Sequence, residues 1–598
     1  MAYILKPHIT RKYKIYSKDD KIIPAELFKA ECVAPDLDGF PYPLPSRKCE
    51  YTCFAEGNNG VIWYGAQTGL TRYDKNAELI EDRIMFFSAP RHLAVDKVDA
   101  LLADGDNVWV LTGDKVSHIE MVMLTCEEKA EILLDETNKY VMRRGMVSQR
   151  ELQELGNIES VFPYTASDND GTFTAGHAIG EIFHYAVLRD KLGEDHPRTQ
   201  KARKYATMSS EACLLLMYIH GRSDGFIARS YHLPNEPVPD DGLFYVRNGK
   251  TAKLAETTAS KSRGIVGQEI ACDYPVPDRL AHLYRDLGFT EDGIVYKADT
   301  SSDEVTSHYL HMRIAHDILG PVDPELDEII KDACKRTMKH IIDGGFEFID
   351  VDRPTTWAKW SKNYFENADI GYVDAPLNAG EVLSYLKVVM HITGEKGIWE
   401  KTYRKLIDEG YAELTTKHFD RFFQGAIACG NTPEDELMYG DNFLATASLW
   451  LLCTLEEDPK LLSTYRKAYC SWEGTVLREH NPGYEFPFIL SVPDTEIDIE
   501  KACAYFYRTE MTRYVCATEV ERHDTAKKEK RSDGGCPEFE ISALLMPDER
   551  TVHKYDRNPY AITPKEWQPG DRIEGCYVYT FAYWIGRYYG IIDEENDD

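Results

Sequence analysis

Two hydrophobic rhythms divide the chain. Up to about residue 125, short runs of alternating apolar and polar positions are bounded by Gly, Asn and Asp, which predicts β-strands. Beyond that point apolar residues recur at three- and four-residue intervals. They predict helices over 127–144, 149–155, 172–192, 199–220, 303–319, 324–343, 378–393, 397–417, 441–455, 461–471, 499–519 and 577–589. Long helices in succession, punctuated by Gly, Pro, Asp and Asn, predict hairpins arranged around an axis, a helical toroid. Two stretches interrupt the run. Residues 224–300 read as a long loop layer with short strands over one mouth of the toroid, and 520–570 as a polar insertion with Lys527-Lys-Glu-Lys-Arg531 and Asp556-Arg-Asn-Pro-Tyr560.

Within the β part, Asn58-Asn-Gly-Val-Ile-Trp63 and Asp104-Gly-Asp-Asn-Val-Trp109 look alike, and their tryptophans lie 46 residues apart. That period suits a propeller blade. The wording Gly60-Val-Ile-Trp-Tyr-Gly-Ala-Gln-Thr-Gly-Leu-Thr-Arg-Tyr-Asp74 resembles the repeat of two-component-regulator propellers. Two blades cannot close a ring, so residues 1–125 are expected to form a small antiparallel β domain with two blade-like repeats, its edges covered by the following domain.

The helical part carries recurring polar stations. Lys297-Ala-Asp-Thr-Ser-Ser-Asp-Glu304 leads into a helix bearing His308, Tyr309, His311 and Arg313. With Ser301 as N-cap, Glu304 would complete a capping box, and Glu304, His308 and His311 would share one helix face. Ser167-Asp-Asn-Asp-Gly171 precedes a helix with His177, Glu181 and His184. Asp374-Ala-Pro-Leu-Asn378-Ala-Gly-Glu381 precedes a third helix, and Tyr439-Gly-Asp441-Asn442 a fourth. One such station is an ordinary helix cap. Several of the same design, two with paired acids, predict polar residues converging on one end of the ring. Between stations, Arg353, Trp357 and Trp360 lie in one loop; on a rim they would hold a carboxylate and stack on sugar faces. His480, with Glu479, and Arg508, Glu510 and Arg513 are later candidates for the same rim.

Composition removes alternatives. A net charge of −31 over 598 residues disfavours nucleic acid and anionic membranes as partners. No signal-like segment and no long apolar run is visible, and 14 Cys without C-x-x-C pairs fit a reducing cytoplasm, so a cytoplasmic protein is expected. There is no P-loop, no G-x-G-x-x-G, no H-E-x-x-H and no G-x-S-x-G, so no cofactor is expected. Ligand types and spacing allow a metal on Glu304, His308 and His311, but the reading assigns none.

The layout over 126–598 resembles the (α/α)-toroid carbohydrate-active enzymes, which include glycoside hydrolases and uronate-cleaving polysaccharide lyases. Ser167-Asp-Asn-Asp-Gly, Asp299-Thr-Ser-Ser-Asp-Glu and Tyr583-Trp-Ile-Gly-Arg-Tyr588 are similar to phrases of bacterial proteins that join propeller-type repeats to a helical domain. The resemblance implies a mainly α fold with a catalytic (α/α) toroid, and a glycosidase acting on an oligosaccharide or glycoside. Hydrolysis needs two carboxyl groups flanking the bond. Asp170 and Asp303 are the expected acid/base pair, with Asp168 and Glu304 as rivals. His177, His308, Tyr309, Trp357, Trp360 and Asn378 would position the sugar, with Asp441, Asn442 and His480 on the same rim. A lyase alternative uses Tyr309 or His308 as base and Arg313, Arg353 or Asn378 to neutralise a uronate. A third reading is a sugar-binding protein without turnover. A homo-oligomer is compatible with the composition.

Overall fold

The computed structural model describes residues 2–37, 50–78, 82–262, 269–355, 357–417, 439–471, 480–516, 528–529, 538–539, 546–549 and 569–595. The β part forms two antiparallel sheets. Strands β1 (His8–Ser17), β2 (Tyr51–Glu56), β3 (Val61–Ala66), β4 (Gly69–Asp74), β5 (Ile84–Phe87), β6 (Ala100–Asp104), β7 (Asn107–Thr112) and β8 (Lys115–Leu124) pair in the orders β2-β3-β4-β5 and β1-β8-β7-β6. The N-terminal strand β1 thus completes the second sheet, in register from His8 opposite Leu124 to Ser17 opposite Lys115.

Trp63 and Trp109 are each the third residue of their strands, yet they face different ways. Trp63 enters the core shared by both sheets, with Val108, Val110 and Ile119, whereas Trp109 packs outside it with Ile23 and Leu27. A strand alternates faces at every residue, so a one-residue difference in phase is enough to send similar motifs to opposite sides.

The β part is fixed to the helical body through buried charge. Arg11 bonds Glu510 (Nη2–Oε1 2.7 Å) and Asp548, His92 Nε2 lies 2.8 Å from Glu510 Oε1, and Arg508 Nε donates to Asp548 (2.9 Å). Burial opposes the charge on Glu510, but Arg11 and His92 more than offset it and hold its pKa well below the usual range. Arg508 and Glu510, expected on a sugar-binding rim, belong to this clamp instead.

The helical body is built from α1 (Cys126–Glu136), α2 (Asp170–Leu192), α3 (Pro197–Leu215), α4 (Ser302–Ile318), α5 (Pro324–Asp343), α6 (Gly371–Thr393), α7 (Gly397–Asp408), α8 (Tyr439–Leu455), α9 (Pro459–Cys470), α10 (Pro482–Ser491), α11 (Ile499–Arg508) and α12 (Tyr577–Tyr588). Many of these helices match the expected ones, but Pro482–Ser491 was not expected, and residues 149–155, expected as helix, hold the short strand Arg150–Glu151 instead. Thr125 and Glu128 form a capping box, and Asp323, Asp458 and Asn481 cap helices whose first residue is Pro. The expected start at residue 378 is two turns late, because α6 runs through Pro376 from Gly371.

Contacts between the helices form a closed cycle: α2 packs on α4, α4 on α6, α6 on α8, α8 on α10, α10 on α12, and α12 on α2. Each of these also packs on the helix that follows it, and α12 on α1. Helix α2 is buried from Asp170 to Leu188, whereas α5 buries only one apolar stripe.

The 224–300 stretch is more ordered than a loop layer. It contains a five-stranded sheet in the order Tyr231–His232, Val295–Lys297, Phe244–Asn248, Thr251–Leu254, Ile270–Ala271. Most of 520–570, including Lys527, Arg531 and Asp556 to Tyr560, lies outside the described residues. Among the described residues no helix is long and apolar enough to cross a membrane.

Candidate functional site

The turn before α2 and the start of α4 meet. Asn169 Nδ2 donates to Asp303 Oδ2 (3.3 Å), and Thr172 donates to Glu304 Oε1 through its amide (3.2 Å) and hydroxyl (3.0 Å). Ser301 is the N-cap residue of α4, but its side chain makes no cap bond, so the expected capping box does not form. Glu304 turns inward to its neighbour helix instead.

The four acids of these two stations have different surroundings. Asp170 is buried; its Oδ1 accepts from Ser167 N (2.9 Å) and Oγ (3.1 Å), and Arg143 Nη2 lies 3.4 Å from Oδ2. These bonds hold the turn and leave Asp170 no access to solvent. Asp168 has a side chain 64% exposed and faces two cations: Lys297 Nζ bonds it, and Arg229 Nη1 lies 3.9 Å away. Asp303 is half-buried. Glu304 is fully buried.

The cations come from the 224–300 insertion. Lys297 ends a strand of its sheet and also bonds Asp241 (2.8 Å), and Arg229 bonds Asp299 (3.2 Å). Burial works against the charge on Lys297, but its bonds to Asp168 and Asp241 outweigh that and raise its pKa. Burial raises the pKa of Asp299 despite Arg229. Lys297 and Asp299 stand in the first station without an assigned role, and Arg229 carries none either; partners 129 and 70 residues away leave no periodic signal.

Behind this layer lie two buried carboxyl groups. Burial, with a smaller contribution from Asp303, raises Glu304 to about 8 against the opposing effects of Arg229 and Thr172. Glu381 on α6 is also pushed to about 8, chiefly by burial and then by the charges of Asp303 and Asp441. Trp360 Nε1 donates to Glu381 Oε2 (2.7 Å) and Thr306 Oγ1 to Oε1 (3.2 Å). Burial thus favours the neutral form of both groups. Glu381 stood in the third station but was not chosen from sequence, since an acid at mid-helix gives no sign of burial by itself.

Most of the expected sugar-positioning residues lie inside the protein. His308 is fully buried, with Nδ1 2.7 Å from Glu304 O and Nε2 3.1 Å from Cys213 O, and burial lowers its pKa. Tyr309 is fully buried, donates to Cys334 O (3.3 Å) and stacks on Tyr385. His177 is fully buried and burial lowers its pKa. His311 bonds Ser210 Oγ (3.0 Å), so Glu304, His308 and His311 face different partners and make no common ligand set. Trp360 is core. Asn378 is buried and donates to Lys359 O (2.7 Å), and Asn442 is buried.

The remainder lie nearer the surface. Trp357 is 62% exposed; Arg353 pairs with Asp352 (2.8 Å) and Asp441 is half-buried at the start of α8. Arg313 pairs with Asp317 (3.0 Å) towards the C-terminal end of α4, away from the stations. His480 has positive φ and contacts Glu485 (3.1 Å) at the start of α10.

No family model matches the chain, and no curated protein matches it. Among solved structures it is similar to GH family 9 endoglucanase J30, at 11% identity over 98% of this chain and 99% of that one, TM-score 0.38. It is also similar to a Bacteroides ovatus GH9 protein (10% identity, 90% and 94% covered, TM-score 0.30) and to AaCel9A in complex with cellobiose-like isofagomine (11%, 98% and 98%, TM-score 0.31). Overlaps this low transfer neither fold nor activity.

Proposed function

We propose that the cycle of six helices is the inner ring of an (α/α) toroid and that the chain is a glycoside hydrolase acting on an oligosaccharide or glycoside at the end where α2, α4, α6 and α8 begin. The observation that carries this reading is the convergence of carboxyl groups there. Asp168 and Asp303 sit at neighbouring helix starts, and the charges of Asp303 and Asp441 both reach Glu381. Glycosidic hydrolysis needs one carboxylate and one carboxylic acid, set by contrasting environments.

The working pair in this reading is Asp168 and Asp303. Asp168 is open to solvent beside Lys297 and Arg229, where its charge is matched, and it acts as the base on water or as the nucleophile. Asp303, half-buried and bonded by Asn169, is assigned the general-acid role at the leaving oxygen. Asp170 is the brace of the turn that carries Asp168. The elimination alternative is less well supported, because Tyr309 and His308 are closed inside the protein.

The test is incubation of the full chain with neutral and uronate-containing oligosaccharides, following reducing ends together with the ultraviolet absorbance of unsaturated uronate. New reducing ends without absorbance, lost in Asp168→Asn and Asp303→Asn, support hydrolysis. Absorbance rising with the reducing ends overturns it in favour of elimination. Sugar binding without turnover in any case overturns the enzyme reading.

A further inference from the structure

At the opposite end of the same helices lies a group of metal-ligand side chains. His316 and Asp317 sit in the last turn of α4 and His391 in the last turn of α6, and one ligand atom from each lies within 4.8 Å of the others. All three have solvent access, with side chains 23%, 28% and 36% exposed. We propose that these residues bind a zinc-class divalent transition metal ion that staples the C-terminal ends of two successive inner helices.

The surroundings favour this over a chance cluster. His316 Nδ1 lies 2.5 Å from Asp327 Oδ1, and Lys331 holds the other oxygen of Asp327 at 2.8 Å. A carboxylate behind an imidazole fixes the ring and its tautomer and leaves Nε2 to meet an ion, the usual support for a metal-bound histidine. Asp317 Oδ1 is hydrogen-bonded by His391 Nε2 (2.7 Å), and the charge of Arg313 lies beside its other oxygen, with Nε 3.0 Å from Oδ2. An ion placed between Asp317 and His391 takes over that hydrogen bond, with the His391 proton moving to Nδ1.

Both helices end here, so their macrodipoles present negative potential to a cation. Two imidazoles and one carboxylate select zinc, copper or nickel over magnesium or calcium, which prefer all-oxygen sites. Three protein ligands leave the remaining position to water.

The experiment titrates zinc chloride into the chelator-treated full chain by calorimetry, with thermal melts in parallel. The expected result is one saturable zinc site per chain and a higher melting temperature with zinc, with no shift from magnesium. Affinity falls at least tenfold in His391→Ala and Asp317→Asn, and by about 10-fold or more in Asp327→Asn, which touches only the support of His316. His391→Gln serves if the alanine variant does not fold. Metal-free melts matching the metal-free parent show that each variant is folded. Absence of saturable zinc binding, or equal affinity in parent and variants, overturns the proposal.

Discussion

A methyl group added at Gly171 would lie 2.0 Å from Glu304 Oε2 and 2.7 Å from His308 Cε1. The first turn of α2 can therefore approach α4 only because residue 171 has no side chain, and that approach is what buries the Glu304 carboxyl. Gly171→Ala must displace two fully buried groups. It should destabilise the protein by about 1–3 kcal/mol, read as a lower midpoint in urea. An unchanged midpoint would mean that the two helices do not meet as described.

Glu304 and Glu381 make stability depend on pH. Their folded values of about 8 exceed the ordinary 4.5, so the folded state keeps protons that the unfolded chain has released. Their contribution is fully present below about 4.5 and is lost as pH rises through about 8. Each adds a slope of up to about 1.4 kcal/mol per pH unit within that window. Urea midpoints measured across it should decline with pH, and Glu304→Gln or Glu381→Gln should flatten the decline. A decline as steep in both variants as in the parent would contradict this account.

The acids at the start of α2 should separate by role. Asp168→Asn and Asp303→Asn are expected to lower the hydrolytic rate by about 10²–10⁴; Asp168→Asn leaves buried Lys297 its second partner Asp241, so its melting temperature falls less than that of Asp170→Asn. Asp170→Asn removes the charge facing buried Arg143 and should cost about 1–3 kcal/mol of stability. Melting temperature and rate on each purified variant distinguish the two outcomes.

The two tryptophans of the 353–360 loop should also differ. Trp360→Phe leaves a buried carboxyl oxygen of Glu381 without its donor and should cost about 1–3 kcal/mol. Trp357→Ala removes an exposed ring and should change stability by less than about 0.5 kcal/mol. If Trp357 stacks on substrate, KM rises with little change in kcat.

The Asp-capped helix that begins at Pro324, and the switch from strand to helix period near residue 125, were legible because capping and periodicity act within a few residues. The stations before α2 and α4 were legible for the same reason, and they do meet through Asn169 and Asp303. The start of α6 was missed because Pro376 and the polar run around it read as a stop; Pro376 is inside the helix and costs it one amide donor, which the burial of Ala375, Pro376 and Leu377 offsets.

What the sequence determined by itself was the change from strand to helix near residue 125 and most of the helices, with the acids placed at their starts; the helix Pro482–Ser491 was not expected, and 149–155, expected as helix, holds the strand Arg150–Glu151. Tertiary structure alone decided which polar residues face solvent. His177, His308, Tyr309 and Trp360 have the same residue types as rim groups, yet each is buried by helices tens of residues away in the chain. Tertiary structure also brought Lys297 and Arg229 to Asp168, and His391 to Asp317. Burial and charge pairing depend on distance in space, and a helical period records only the face of one element, not the neighbour that closes over it.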